Sequence, residues 1–150
     1  MRSTQPYVQQ MLVSIMLALC LVLPPVPGPV VAPFEPAGSY AGHWGLDLSA
    51  PDGSAVVAPL SGVVTFAGEV AGMRSVTIRS SDDIRISLSY LSQVHVRAGE
   101  RVAAGQIVGR SGRAHGEDGV HLSVREGTRY VDPAPFVRCA NGAIRLLPDR

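Results

Sequence analysis

Alternation of apolar and polar residues is the main pattern of the chain from Pro29 onward. Short runs rich in β-branched residues recur between Gly, Pro and Asp, and helical periodicity is almost absent. This spacing is typical of an all-β sandwich or barrel. Residues 74–91 predict a hairpin that turns at 81–83, and residues 124–131 predict a second that turns at 126–127. The sequence therefore predicts an all-β fold, a small antiparallel sheet or sandwich.

Residues 118–127, DGVHLSVREG, show the alternation most clearly. Alternate residues of a strand point to opposite sides, so one face here is apolar and the other is polar. The polar face carries His121, Ser123 and Arg125. Two interpretations of this face are open, half of a reaction site or a piece of solvent-facing sheet.

An uncharged apolar run occupies residues 11–23 and is followed by the rigid sequence PPVPGP. The run is shorter than the roughly 20 residues of a membrane-spanning helix and suits the apolar region of a secretion signal. An uncleaved signal anchor is the alternative, and either one places the remaining chain outside the cytoplasmic membrane, secreted or in the cell envelope. We expect a signal peptide or anchor over 1–27, one domain over 28–138 and a C-terminal tail over 139–150.

Charge and composition exclude several classes of function. The net charge is +1 and the basic residues are scattered without forming a run in the sequence, which argues against a nucleic-acid partner. Residues 96–110 have the glycine spacing of lipoyl and biotinyl carrier domains, but the chain has no lysine to carry such a cofactor. The two cysteines, Cys20 and Cys139, form no CxxC metal pattern. The arginines of the first hairpin are expected to form a solvated face: Arg74, Arg79 and Arg85.

The sequence HWGLD places three residues between His43 and Asp47, where a strand begins. Imidazole and carboxylate are ordinary zinc ligands, and a bend at Gly45 would let both face one point. Taken alone, this spacing is equally compatible with a surface histidine and a turn-capping aspartate.

Three longer passages, one containing that pair and two following it along the chain, form a larger motif. They are GHWGLDLSAPDGSAVVAPLSGVV, LSYLSQVHVRAGERVAAGQIVGRSG and GVHLSVREGTRYVDPAPFV. Together they closely resemble the lysostaphin-type, or LytM-domain, family of peptidoglycan zinc endopeptidases. The resemblance covers about residues 28–138 and implies a mostly antiparallel β fold of the duplicated hybrid motif type. It also implies a groove over the sheet that receives short wall peptides.

The resemblance implies a role for each site residue. His43 and Asp47 match the first two metal ligands, and Trp44 beside them is expected to line the groove or to cover the sheet edge. Tyr90 stands where active members have a histidine before a Leu-Ser pair. Active members also have an H-x-H element, whose first histidine helps to activate water and whose second completes the zinc site. His121 matches the first of these and Ser123 the second.

On that correspondence the site lacks its third metal ligand and one of its two catalytic histidines. Serine is a poor zinc ligand, so we expect an exported cell-wall protein with a catalytically degenerate domain that binds peptidoglycan peptides or regulates wall hydrolases. The alternative is an active zinc metalloendopeptidase with a rearranged site, in which His121 moves onto the metal or His115 folds over it. Tyr90 is expected to stabilise an oxyanion or simply to pack in the strand. Zinc is the cofactor if the site is active, and otherwise there is none.

Overall fold

The computed structural model describes residues 22–39 and 41–141. Within them the chain forms twelve short strands followed by one helix. The strands are β1 (Val30–Ala32), β2 (Glu35–Ala37), β3 (Ala41–His43), β4 (Leu46–Ser49), β5 (Ala55–Val57), β6 (Gly62–Val70), β7 (Met73–Arg79), β8 (Ile84–Val94), β9 (Arg101–Val102), β10 (Ile107–Ala114), β11 (Glu117–Glu126) and β12 (Arg129–Val131), and the helix is α1 (Ala134–Asn141).

Ten of these strands form one antiparallel sheet, which confirms the predicted all-β fold. Its order is β1–β4–β11–β10–β8–β7–β6–β9, with β12 added to β11, β5 added to β10, and a direct pairing of β11 with β8. Strands β2 and β3 form a separate two-stranded sheet. Both predicted hairpins are confirmed, since β7 pairs with β8 and β11 pairs with β12.

The apolar residues of the alternating strands form the core on one face of the sheet. On β11 the buried positions are Val120, Leu122 and Val124, as the alternation predicts. Leu48, Ile78, Ile86 and Leu88 add side chains that are 0% exposed. The opposite face of β11, β8 and β7 carries polar side chains, and residues of the candidate site lie on this face.

The folded unit begins earlier than the predicted domain boundary at residue 28. Val22 and Val26 are buried in the core, and the carbonyl of Pro25 accepts a hydrogen bond from the Val57 backbone N–H at 3.0 Å. The proline-rich segment packs in this way because it runs beside β5 and satisfies its free edge. The apolar run up to residue 21, including Cys20, lies outside the described residues.

The C-terminal end also differs in detail from the expected division. Helix α1 runs through residue 139, the expected start of a tail, and residues 142–150 lie outside the described part of the chain. The Asp132 carboxylate accepts the backbone N–H of Ala134 at 2.8 Å, which caps the start of the helix. In the ranges 22–39 and 41–141, no helix is long and apolar enough to cross a membrane.

Candidate metal centre and groove

The pairing of β4 with β11 brings Asp47 directly opposite His121. His43 ends β3, and the bend at Gly45 turns its ring back toward the same point. The His43 Nε2 atom lies 3.1 Å from Asp47 Oδ1 and 3.1 Å from His121 Nδ1. His121 Nδ1 lies 2.8 Å from Asp47 Oδ1, so the three atoms form a nearly equilateral triangle.

The size of this triangle fits a zinc ion. Zinc holds nitrogen and oxygen ligands at about 2.0–2.1 Å in a tetrahedron, which places neighbouring ligand atoms about 3.3 Å apart. The three observed separations of 2.8–3.1 Å are within a few tenths of an ångström of that edge. Three corners of a tetrahedral site are therefore in place.

The hydrogen bonding of His43 also fits a metal ligand. Its Nδ1 lies 2.6 Å from the Pro33 carbonyl oxygen, which can only accept, so Nδ1 carries the proton. The Nε2 atom is then directed at Asp47 Oδ1. A metal ion between these two atoms would be bound by the Nε2 lone pair and by the carboxylate at once.

The tip of the β10–β11 hairpin contributes a third histidine, the fourth residue of the cluster. Ala114 pairs with Glu117, which leaves His115 and Gly116 as a two-residue loop with φ angles of 51° and 92°. Two positive φ angles are typical of the type I′ turn, whose geometry directs the chain over the sheet. His115 Nδ1 lies 2.6 Å from Asp47 Oδ2, so that both oxygens of the carboxylate have an imidazole partner.

The cluster therefore consists of His43, Asp47, His115 and His121, whose ligand atoms lie within 4.8 Å of one another. His43 and Asp47 meet as the sequence predicts. The sequence left two residues open for completing the site, His121 and His115, and both lie in the cluster. His121 Nδ1 contacts Asp47 Oδ1, and His115 Nδ1 contacts Asp47 Oδ2. His115 was hard to recognise in sequence, because its only signal is the His-Gly pair at a hairpin tip.

Ser123 lies elsewhere in the groove, opposite Ser87 of β8 and one step beyond the cluster. The structure thus places His121, and not Ser123, beside the first two ligands. If His121 occupies the second place of the H-x-H element, the first place falls on Gly119. A Cβ at Gly119 would lie 2.3 Å from the Leu48 carbonyl oxygen, so no side chain fits there.

Gly45 forms a cradle for the His121 ring. A Cβ at this position would lie 2.6 Å from His121 Nε2 and 2.4 Å from the Leu122 carbonyl oxygen. Both distances are far below ordinary contact, so only glycine lets the ring lie flat against the bend. The cradle fixes which nitrogen of His121 reaches Asp47, because Nε2 faces the backbone and Nδ1 faces the carboxylate.

Burial and mutual contact set the protonation of the two buried members. Burial alone would raise the pKa of Asp47, but its contacts with His115 and His121 outweigh this and hold the pKa below 3.8. Burial lowers the pKa of His121 below 6.5, against the opposing attraction of Asp47. At neutral pH the site therefore offers an ionised carboxylate and a neutral imidazole, the forms that bind metals.

Tyr90 borders the cluster in a strained backbone conformation. Its φ angle is 63°, and its ring centroid lies 4.9 Å from that of His115 and 6.3 Å from that of His121. A non-glycine residue in this region costs on the order of 1–3 kcal/mol and persists where the surroundings enforce it. The β7–β8 and β8–β10 pairings shift register next to Tyr90, and this irregularity turns the ring toward the histidines.

A groove of about 420 Å³ continues from the cluster across the sheet. Its floor is a patch of hydroxyl groups, in which Ser75 contacts Ser89 at 3.0 Å and Thr77 contacts Ser87 at 2.8 Å. Its sides include the aromatic rings of Trp44, Tyr130 and Phe66. Trp44 therefore lines the groove, with its ring 5.7 Å from that of Tyr130.

Comparison with known proteins gives the same family as the sequence motifs. The sequence model of Peptidase family M23 matches residues 41–133. The DD-carboxypeptidase/endopeptidase Mpg of Neisseria meningitidis serogroup B is 34% identical over 97 residues, which cover 61% of this chain and 22% of that protein. The chain thus spans about a fifth of the length of this relative.

Solved structures share the fold at similar identity. Csd3 of Helicobacter pylori superposes with a TM-score of 0.70 at 28% identity, over 79% of this chain and 33% of that one. The antimicrobial peptidase lysostaphin from Staphylococcus simulans superposes with a TM-score of 0.64 at 28% identity, over 81% of this chain and 54% of that one. Motifs, family match and fold agree, and the chain belongs to peptidase family M23, as its LytM-type motifs predict.

Proposed function

We propose that the chain is an exported, zinc-binding domain of the cell envelope that holds peptidoglycan peptides in its groove and cleaves them poorly or not at all. The observation that carries the zinc part is the triangle of His43, Asp47 and His121. A bound zinc would polarise a peptide carbonyl and acidify a water molecule. His43 and His121 would hold the ion through nitrogen, Asp47 through one oxygen, and Pro33 and Gly45 would orient the two rings.

The proposed weakness of catalysis rests on the residues that would handle protons. In active LytM-type members two histidines activate the water. Tyr90 stands in the place of one, and with His121 assigned to the metal the place of the other falls on Gly119. A phenol hydroxyl is a poorer proton acceptor than an imidazole, and glycine has no side chain at all. The sequence placed the degeneracy in the third metal ligand and in one catalytic histidine, and we now propose that it lies in the proton-handling groups alone.

The shape of the groove supports the binding of an extended peptide. Hydroxyl groups along its floor can both donate and accept hydrogen bonds, which suits the alternating N–H and C=O groups of a peptide backbone. The rings of Trp44 and Tyr130 give flat apolar contact at one side, with little conformational entropy to lose. The relative Mpg carries the name of a carboxypeptidase and endopeptidase, which supports a peptide ligand here.

A second candidate is an active zinc endopeptidase in which His115 replaces the missing base. The contact of His115 Nδ1 with Asp47 Oδ2 favours it, since it places an imidazole at the edge of the metal site. In this candidate His115 takes the proton from the attacking water, and the Tyr90 hydroxyl stabilises the oxyanion. Binding and regulation then become secondary to cleavage.

The two candidates are separated by incubating the purified full chain with peptidoglycan and zinc. The proposal predicts co-sedimentation with peptidoglycan, which Trp44→Ala weakens, and no zinc-dependent release of peptide fragments. His95→Ala is the control, because that ring is exposed and contacts Gln93 at 3.1 Å, outside the groove lining. Failure to co-sediment would contradict the proposal, and fragment release that His115→Ala abolishes would establish the second candidate.

Partners and location follow the same proposal. A domain that binds peptidoglycan without cleaving it is proposed to regulate separate wall hydrolases. Addition of the full chain should then change the rate at which a purified hydrolase digests peptidoglycan. Fractionation of cells that express the tagged full chain should recover it from the envelope or the medium. Recovery from the cytoplasm alone would contradict export.

A further inference from the structure

The register of β11, β8 and β7 arranges the groove face in three parallel rows that cross the strands. The first row contains the metal cluster and continues from His121 to Ser89 and Ser75. The second row is built of hydroxyl groups and the third of arginines. The members of the second row are Ser123, Ser87 and Thr77, and those of the third are Arg125, Arg85 and Arg79.

The arginine row places like charges directly opposite one another. Arg125 pairs with Arg85, and Arg85 pairs with Arg79 on its other side. Directly opposed side chains have Cβ atoms about 4.5–5.5 Å apart, and like charges in such pairs destabilise a sheet. Three such arginines in line therefore lower the stability of the sheet, and their packing in the sheet does not compensate for this.

Internal counter-charges compensate this row only in part. Arg85 lies 3.4 Å from Asp83, and the Arg125 guanidinium lies 5.4 Å from the centroid of the Tyr130 ring. Within the described ranges, Arg79 and Arg125 make no ion pair. The row therefore presents positive charge that an external anion can neutralise.

The row extends beyond β7 into a large cavity at the β6–β9 end of the sheet. Val63 of β6 pairs with Arg79 on one side and with Arg101 of β9 on the other. Arg79, Arg85 and Arg101 line a cavity of about 1000 Å³, together with a single carboxylate, that of Asp83. Since neighbouring strands are about 4.8 Å apart, the path from Arg125 to Arg101 crosses four strand spacings, or about 19 Å.

We propose that this row, from Arg125 through Arg85 and Arg79 to Arg101, binds an extended anionic chain that carries carboxylate or phosphate groups. Arginine suits both groups, because its planar guanidinium donates two parallel hydrogen bonds to either. Four residues separate His121 from Arg125 along β11, which places the row about 13 Å from the metal cluster. A polymer on the row can therefore lie beside a peptide in the groove, and its binding requires no metal.

The test is a binding measurement on the purified full chain in the presence of a chelator. Fluorescein-labelled polyglutamate supplies carboxylates, inorganic polyphosphate supplies phosphates as a competitor, and labelled polyglutamine is the neutral probe. We expect polyglutamate to bind, polyglutamine not to bind, and the affinity to fall with added salt. Displacement by polyphosphate at lower concentration would identify phosphate as the preferred group, and the reverse order would identify carboxylate.

Variants locate the binding on the row. Arg79→Gln combined with Arg85→Gln should weaken polyglutamate binding at least about tenfold, since each removes charge-assisted hydrogen bonds. Arg97→Gln combined with Arg110→Gln removes the same charge outside the row and should leave the affinity within about twofold.

Two results would overturn the proposal. One is the absence of binding to either polyanion, and the other is an equal loss of affinity in the two double variants. Because the chelator is present throughout, both results are independent of whether the chain binds zinc.

Discussion

Replacement of Gly45 by alanine is the sharpest perturbation of the proposed metal centre. The added Cβ would lie 2.6 Å from His121 Nε2, whereas ordinary contact begins at 3.4 Å. The ring must therefore retreat by about 0.8 Å, and the approach of the same Cβ to the Leu122 carbonyl oxygen, at 2.4 Å, requires the backbone to move as well. Zinc ligand distances hold within about 0.2 Å, so a shift of this size takes Nδ1 out of its corner.

We expect Gly45→Ala to lower zinc affinity by about 10–100-fold, or about 1.4–2.8 kcal/mol, the loss seen when the support of a ligand is disturbed. The metal-free protein should lose about 1–3 kcal/mol of unfolding free energy through overpacking. Zinc titration by calorimetry measures the first quantity and chemical denaturation the second.

Gly68→Ala is the matched control, because its Cβ would meet nothing closer than Phe66 Cζ at 3.5 Å, an ordinary contact. It should bind zinc as the wild type does. A Gly45→Ala protein that folds and keeps the wild-type zinc affinity would refute the cradle. If the alanine prevents folding, His121→Ala removes the ring without adding a clash and tests separately whether His121 holds the ion.

Three further predictions follow from the site and its supports. His115→Asn should keep the hairpin stable, since asparagine suits the positive φ of 51° in a type I′ turn, and should retain zinc, while loss of zinc would make His115 an essential ligand. Ser111→Ala should cost about 1–3 kcal/mol in chemical denaturation, because its buried hydroxyl bonds the Ser54 N–H at 2.9 Å and the Pro51 carbonyl at 2.8 Å, and an unchanged unfolding free energy would contradict this. The folded-state pKa of His121 is below 6.5, so the folded state binds a proton at this residue less readily than the unfolded state does. The unfolding free energy of the metal-free protein should therefore be highest above pH 6.5 and should fall as the pH drops below 6.5. His121→Asn should reduce this slope, and an equal slope in the variant would contradict the prediction.

The alternation of β11 predicts correctly which side chains face the groove, but it cannot tell which one meets Asp47. His121 and Ser123 are two residues apart and share a face, so both satisfy the pattern equally. Only the register between β4 and β11 distinguishes them, and it pairs His121 with Asp47. The sequence could therefore identify the family and the first two proposed ligands, while the third proposed ligand depended on a long-range pairing.

His115 and the arginine row were out of reach for a related reason. His115 contacts Asp47, which lies 68 positions away in the sequence. The contact depends on a turn with positive φ angles, which a histidine in the sequence does not predict. Arg79 and Arg85 were expected as a solvated face, and Arg79 is indeed exposed. Their alignment with Arg125 follows from strand order, which local patterns do not contain.

The central claim is that His43, Asp47 and His121 hold one metal ion. The most direct test is the zinc content of the purified full chain after zinc loading and dialysis, compared between His121→Ala and Ser123→Ala. The account predicts one zinc per wild-type chain, the same content in Ser123→Ala and none in His121→Ala. A wild-type chain without zinc, or loss of the ion in Ser123→Ala with retention in His121→Ala, would contradict it.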